Sequence, residues 1–327
     1  MRDLKEISRH IIEKDDFLIC GHIDPDGDCI GSAFGLKWAL SNIGKNCCVI
    51  LTQSIEDDYD FLAINSDDYI LVENLNKNNC NNLNWSKTNF IVLDSSNIER
   101  LGEVAKSAKN SFLINIDHHQ DNTFFGDVNF VDSSKAAVGV IIYQLLSLME
   151  ISIDEQIGRA LATAIIADTG AFRYENTTPE VLRIIADLMD TGVDLYRINS
   201  GLFSNNSYKL TKLKGMAIST LKNSKDGKIA WLYIEQDMFQ KAGIVEYKSH
   251  DLVNQARDIK GVEVGISFTE KDDGIIKVSF RSNRYCPVNK IAAQFGGGGH
   301  PRAAGCEIED NLDNVISIVI EEVKKHV

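Results

Sequence analysis

Before residue 117 the chain carries five short apolar runs: Phe17-Leu18-Ile19-Cys20, Cys47-Cys48-Val49-Ile50-Leu51, Tyr69-Ile70-Leu71-Val72, Phe90-Ile91-Val92-Leu93 and Phe112-Leu113-Ile114-Asn115-Ile116. A strand with one wet face alternates polar and apolar residues. Runs that scarcely alternate belong to strands buried on both faces, as in a parallel sheet with helices on either side. The stretch from Ile30 to Ile43 repeats its apolar residues at helical spacing, the mark of a covering helix. The runs therefore predict a parallel-sheet α/β domain. Ligands of such sheets sit beyond the carboxyl ends of the strands. Gly21 follows the first run, Asp94 closes the fourth and Asp117 closes the fifth, so acids stand where a site is expected.

Helical spacing dominates from Ala136 to about Tyr196, with Thr178 as an N-cap and Pro179 at a first helical position. The Asn-rich stretch Asn74 to Asn84 reads as loop, and the polar, turn-rich Gly201 to Ser207 as linker. After a helix near Leu210 to Leu221 come strand-like runs at Ile229 to Ile234, Val262 to Phe268 and Ile275 to Phe280. The expected organisation is an N-terminal domain over residues 1–195, a linker over 196–212 with the boundary near 205, and a smaller α/β C-terminal domain over 213–327.

Composition narrows the function. An apolar fraction of 44% and a charged fraction of 25% are those of a globular protein. No apolar run approaches the roughly 18–20 residues that span a bilayer, so no membrane partner is expected. The start, Met1-Arg2-Asp3-Leu4-Lys5-Glu6, carries acids and reads as an amphipathic helix, not a signal peptide. Seven cysteines without paired spacing read as reduced thiols. Both features point to the cytoplasm. A net charge of −13 argues against long nucleic acid, whose phosphates need many basic partners. It leaves room for a short phosphorylated ligand held by bound cations and a few arginines.

Five segments carry chemistry. Gly21-His22-Ile23-Asp24-Pro25-Asp26-Gly27-Asp28 crowds one imidazole and three carboxylates behind a strand. Crowded acids repel unless a cation lies among them, although a solvated acidic turn explains this segment alone about as well. Asp94-Ser95-Ser96-Asn97, taken alone, reads best as a helix cap. Asp117-His118-His119 sets two imidazoles beside an acid in a chain with 7 histidines, which favours ligation and proton transfer. Asp168 ends an apolar helical stretch, where a carboxylate opposes the helix dipole and is costly to bury unpaired. Gly296-Gly297-Gly298-Gly299-His300-Pro301-Arg302 lets backbone N–H groups approach an anion, with a small-residue helix expected after it.

In this order and spacing the segments resemble the DHH phosphoesterase family, in particular its nanoRNase/pAp-phosphatase branch. The resemblance covers essentially the whole chain. Asp117-His118-His119 is similar to the namesake triplet, and Gly297-Gly298-Gly299-His300 to the glycine loop of the associated C-terminal domain. It implies a DHH metal-binding catalytic domain followed by a substrate-binding one. His22 and Asp26 match the ligands of one metal, Asp28, His118 and Asp168 those of the other, and Asp94 the bridging carboxylate; Asp24 falls on a variable position. His119 matches a residue that contacts the scissile phosphate, and Asp117 one that orients its neighbours. Arg281, Gly297, Gly298, Gly299 and His300 match residues that hold the substrate.

The implied cofactors are two divalent cations that hold and activate a water. Oxygen and nitrogen ligands without thiolate suit manganese, or magnesium, better than copper or zinc. The implied substrates are short oligoribonucleotides and 3′-phosphoadenosine 5′-phosphate (pAp), admitted by a cleft between the domains, and relatives imply a homodimer. Tyr285-Cys286-Pro287-Val288-Asn289 departs from the family pattern and bears on substrate preference. Cyclic dinucleotides and linear pApA are close alternatives. A pyrophosphatase is disfavoured by the Gly-Gly-Gly-His segment, and a single-strand exonuclease by length and charge. A non-catalytic nucleotide sensor is disfavoured because no metal ligand is replaced.

Overall fold

In the computed structural model, which describes residues 3–55, 57–77, 88–109, 111–245, 252–271 and 274–327, the apolar runs become strands. The first unit runs α1 (Leu4–Glu13), β1 (Asp16–Cys20), α2 (Gly27–Asn42), β2 (Asn46–Leu51), β3 (Tyr69–Leu71), β4 (Asn89–Leu93), α3 (Val104–Ala108), β5 (Leu113–Asp117) and β6 (Val128–Val131). Four helices follow: α4 (Val138–Leu148), α5 (Glu155–Asp168), α6 (Pro179–Asp190) and α7 (Leu195–Phe203). The strand order is β3-β2-β1-β4-β5-β6 and every pairing is parallel. The chain winds outward from β1 to β3, then returns to β4 on the other side of β1. That reversal between β1 and β4 is where a crevice opens at the carboxyl edge.

One core lies between the sheet and the larger helices, with Phe17, Phe34 and Leu40 fully buried in it, and a thinner one lies on the opposite face around Leu18 and Val92. Such burial stabilises by about 2 kcal/mol for each large apolar side chain. α2 is buried on nearly every face. Its glycines 27, 31 and 35 recur every fourth residue and meet α5. A Cβ on Gly31 would lie 2.4 Å from the Ala160 carbonyl, and one on Gly27 2.5 Å from the Ala167 Cβ. The helix pair is closer than side chains would permit.

The sixth strand, β6, was not expected: it is four residues long, its last two are only partly buried, and the polar Asn129 sits among them. Val72–Lys77, the start of the expected Asn-rich loop, is a 3₁₀ helix, and the rest of that stretch lies outside the described residues.

The chain divides between Asn205 and Asn206. The expected linker over 196–212 is mostly helical: α7 occupies its start and α8 (Tyr208–Ser219) its end. A polar residue just before it and another within it are helix caps. Asp194 accepts from the N–H groups of Tyr196 and Arg197, and Ser207 from that of Leu210, while Ile198 and Leu213 are buried.

The second unit continues with β7 (Lys222–Asn223), β8 (Ile229–Ile234), α9 (Gln236–Ala242), α10 (Leu252–Arg257), β9 (Val264–Glu270), β10 (Ile275–Ser282), α11 (Val288–Gln294), β11 (Gly298–His300), β12 (Ala303–Glu309) and α12 (Leu312–Lys324). Its sheet has the order β11-β12-β10-β9-β8-β7, antiparallel except for β8 with β9. The α/β class of both units is as the sequence predicts. Among the described residues no helix is long and apolar enough to cross a membrane.

Candidate metal centre

Three neighbouring strands, β1, β4 and β5, deliver the first residues of the site. His22 lies two residues beyond β1, Asp94 directly follows β4, and Asp117 ends β5 with His118 and His119 after it. Asp94 sits at φ +53°, in the left-handed region that non-glycine residues adopt at a cost. Two helices complete the set. Asp28 is in the first turn of α2 and Asp168 is the last residue of α5, so the close α2–α5 contact brings both carboxylates to one place.

His118 is the hub. Its Nε2 lies 3.3 Å from Asp168 Oδ2, 3.5 Å from Asp94 Oδ1 and 3.8 Å from Asp28 Oδ2. Its Nδ1 is 3.2 Å from the Lys135 carbonyl, to which it donates, so Nε2 is the nitrogen that faces the carboxylates. On the other side of Asp94, His22 Nε2 stands 3.5 Å from Oδ2. Asp94 thus turns one oxygen to each histidine, as a bridging carboxylate would. Three sets of side chains each bring ligand atoms within 4.8 Å of one another: His22, Cys29 and Asp94; Asp94, His118 and His119; Asp28, His118 and Asp168.

Metal-free, this cluster is electrostatically uncomfortable. Burial, and then the neighbouring Asp94, push the Asp28 carboxyl up to about 7, against the pull of the Val138 N–H. Burial and Asp28 likewise raise Asp168 well above the carboxylate range. Burial opposes charge on Asp94 too, but contacts from His118 and His22 outweigh it and hold that carboxyl low. Both histidines are raised in turn: burial works against their charge, and Asp94 with the other acids overcomes it.

The residues fit divalent metal. The His–Asp separations of 3.3–3.8 Å are long for hydrogen bonds. They approach the roughly 3 Å between adjacent ligands that each stand about 2.1 Å from one ion. Asp94 Oδ1 is buried with no hydrogen-bond partner, an acceptor costly to leave unmet unless a cation takes it.

Seven of the candidate side chains therefore converge: His22, Asp28, Asp94, Asp117, His118, His119 and Asp168. Asp26 is outside the three sets. Its Oδ1 caps α2, accepting from the N–H groups of Asp28 and Cys29, while its charge bears on His22. Cys29, read from the sequence only as a small hydrophobe, joins His22 and Asp94, with burial pushing its thiol well above its ordinary value. Asn122 was also missed. It donates to Asp117 Oδ2 at 2.6 Å and to Asn115 Oδ1 at 2.9 Å, and the other Asp117 oxygen meets His119 Nδ1 at 2.7 Å. Asn176 ties the carbonyls of Asp168 and Ala136 together at 3.1 Å each.

In the second unit, Arg281 on β10 pairs with Ala303 on β12, which pairs in turn with His300 on β11, one row across three strands. Gly298, Gly299 and His300 form that short edge strand and are exposed, where an open loop was expected. The small-residue helix expected after them is β12 instead. Glycine permits the close ladder: a Cβ on Gly297 would lie 2.1 Å from the Gly305 carbonyl, and Gly299 sits at φ +134°. Within the divergent segment, Cys286 is core, and Glu263 Oε1 accepts from the N–H groups of Arg284, Tyr285 and Cys286 at 3.1, 2.7 and 2.8 Å.

Residues 16–167 match the DHH family, N-terminal domain, and residues 226–325 match the DHHA1 domain. The chain is 34% identical to the bifunctional oligoribonuclease and PAP phosphatase NrnA of Thermus thermophilus, over 94% of this chain and 89% of that protein. The protein of the same name from Bacillus subtilis is 28% identical over 98% of this chain and 99% of its own length. Among solved structures, an exopolyphosphatase-related protein from Bacteroides fragilis superposes with a TM-score of 0.90 at 25% identity, covering 98% of this chain and 95% of that one. The expected resemblance is borne out: the chain belongs to the DHH phosphoesterase family, with a DHH domain followed by a DHHA1 domain.

Proposed function

We propose that the chain hydrolyses phosphoesters of short nucleotides, pAp and oligoribonucleotides of a few residues, at a two-cation centre preferring manganese. The observation that carries this reading is Asp94: a buried carboxylate with one oxygen turned to His118, the other to His22, and Oδ1 lacking any hydrogen bond. Full-length similarity to proteins named oligoribonuclease and PAP phosphatase supports the substrate class.

Asp28, His118 and Asp168 would hold one cation, His22 and Asp26 the other, with Asp94 between them. Bound cations would supply Lewis-acid charge that lowers the pKa of water and offsets charge on phosphate oxygens. The remaining work belongs to the chain. Asp28 is pre-set by three donors, Val138 N–H at 2.6 Å, Gly139 N–H at 3.0 Å and Ser32 Oγ at 2.9 Å, so it needs little rearrangement to ligate. Asp117, fixed by Asn122, orients His119. Arg281, Gly297, Gly298, Gly299 and His300 would bind the part of the nucleotide that does not react, raising rate by positioning. The described cysteines are free, and all but the half-buried Cys47 are buried, which supports a reducing, cytoplasmic setting.

The test is phosphate release from pAp with manganese, beside the Asp94→Asn variant and an EDTA control. Activity with manganese and its loss, by about a thousandfold or more, in the variant is expected. Equal release by both proteins, or none with any divalent cation, would overturn the reading.

A further inference from the structure

Arg100 lies within a 3₁₀ turn (Ile98–Leu101) and is fixed to two of the site's loops. Its N–H donates to Asn97 Oδ1 at 3.1 Å, and its carbonyl accepts from the Ile23 N–H at 2.8 Å. Its half-buried guanidinium places Nη1 3.3 Å from His119 Nε2. That contact settles which nitrogen of His119 carries the proton. Arginine only donates, so Nε2 must offer its lone pair, and the proton sits on Nδ1, donated to Asp117 Oδ1 at 2.7 Å. An imidazole engaged in this way has no Nε2 proton to give to a reacting oxygen. No carboxylate of the described residues lies within 4.0 Å of Arg100, although acids crowd the site. A guanidinium carries five donors in a planar fork suited to phosphate, and a single contact with the His119 ring leaves most of that fork for an anion.

We infer that Arg100 binds the phosphoryl group of the substrate, and that His119 is a positioning residue behind it, the middle link of an Asp117–His119–Arg100 chain. The inference rests on the phosphoesterase reading above and names a further contact at that same site.

The experiment titrates inorganic phosphate into the manganese-loaded full chain by calorimetry, for wild type, Arg100→Gln and Arg100→Lys, after measuring manganese stoichiometry by electron paramagnetic resonance. Manganese binding should be unchanged, and phosphate affinity should fall about tenfold or more in the Gln variant and less in the Lys variant. With pAp, Arg100→Ala should lose kcat/KM and recover part of it on addition of guanidinium ion. His119→Gln, whose amide oxygen can still accept from Arg100, should retain more activity than His119→Ala. A proton-donating His119 would leave both equally inactive. Unchanged phosphate affinity in Arg100→Gln, loss of manganese binding in both variants, or no phosphate binding by wild type each overturns the inference. If wild type binds phosphate but releases none from pAp, the hydrolytic reading falls while the affinity ratio still decides the role of Arg100.

Discussion

Asp94 combines two costs in one residue: a backbone in the left-handed region and a buried acceptor without a donor. Asparagine and aspartate tolerate that backbone far better than alanine does. The two obvious substitutions should therefore separate. Asp94→Asn and Asp94→Ala are both expected to abolish manganese-dependent turnover. In the metal-free state Asp94→Ala should be less stable than Asp94→Asn by about 1 kcal/mol, readable as midpoints of chemical denaturation at constant slope. Equal midpoints would show that the backbone of this residue carries no strain. Asn122 invites a parallel test. Without its 2.6 Å hydrogen bond Asp117 Oδ2 is left buried and unmet, so Asn122→Ala should cost about 1–3 kcal/mol and lower kcat while leaving metal stoichiometry unchanged.

At the scale of elements, one side chain gathers three consecutive N–H groups of the segment after β10. Glu263 is 5% exposed and its Oε1 takes three consecutive backbone N–H groups. Glu263→Ala leaves those donors without a partner and should cost about 3 kcal/mol. Amide exchange at residues 284–286 should accelerate more than exchange in β12. Uniform acceleration would mean that the carboxylate stabilises the unit as a whole. The elements also show what a sequence discloses. Strands β1, β2, β4 and β5 were legible because runs of four or five residues, apolar at every position but Asn115, scarcely alternate and so read as strands buried on both faces, and Asp94, Asp117 and His118 because they stand at the ends of those runs. β6 was not legible, since four residues with a polar one among them give no period to read. The segment over 196–212 was misread because capping side chains and linker side chains are the same residue types, and only the burial of Ile198 and Leu213 tells them apart. Cys29, Arg100 and Asn122 carry no signature of their own. They join the site through the adjacency of β1, β4 and β5, which follows from the strand order and not from local spacing.

At the scale of the whole molecule, the buried His–Asp cluster couples stability to pH. In the metal-free protein the Asp28 carboxyl, raised by burial to about 7 from an ordinary 3.8, keeps a proton that the unfolded chain has given up. The folded state binds more protons across that window, so stability falls as pH rises through it. His118 acts with the same sign, because the stabilisation from its raised affinity for a proton is lost as pH climbs through the raised value. Cations take these groups deprotonated. The rise in Tm produced by manganese over EDTA should therefore be larger near pH 8 than near pH 6, by several degrees, in a thermal scan. An equal rise at both would mean that Asp28 and His118 are not ligands. The glycines at 27, 31 and 35 carry a separate consequence. In a saturation library sorted for retained phosphatase activity, replacements along that stripe should be depleted as severely as replacements of Asp28 or Asp168, although these glycines face helix α5. A map of intolerant positions would thus outline a second, silent hotspot inside the domain, recording how near two helices must lie for the acids at their ends to share a charge.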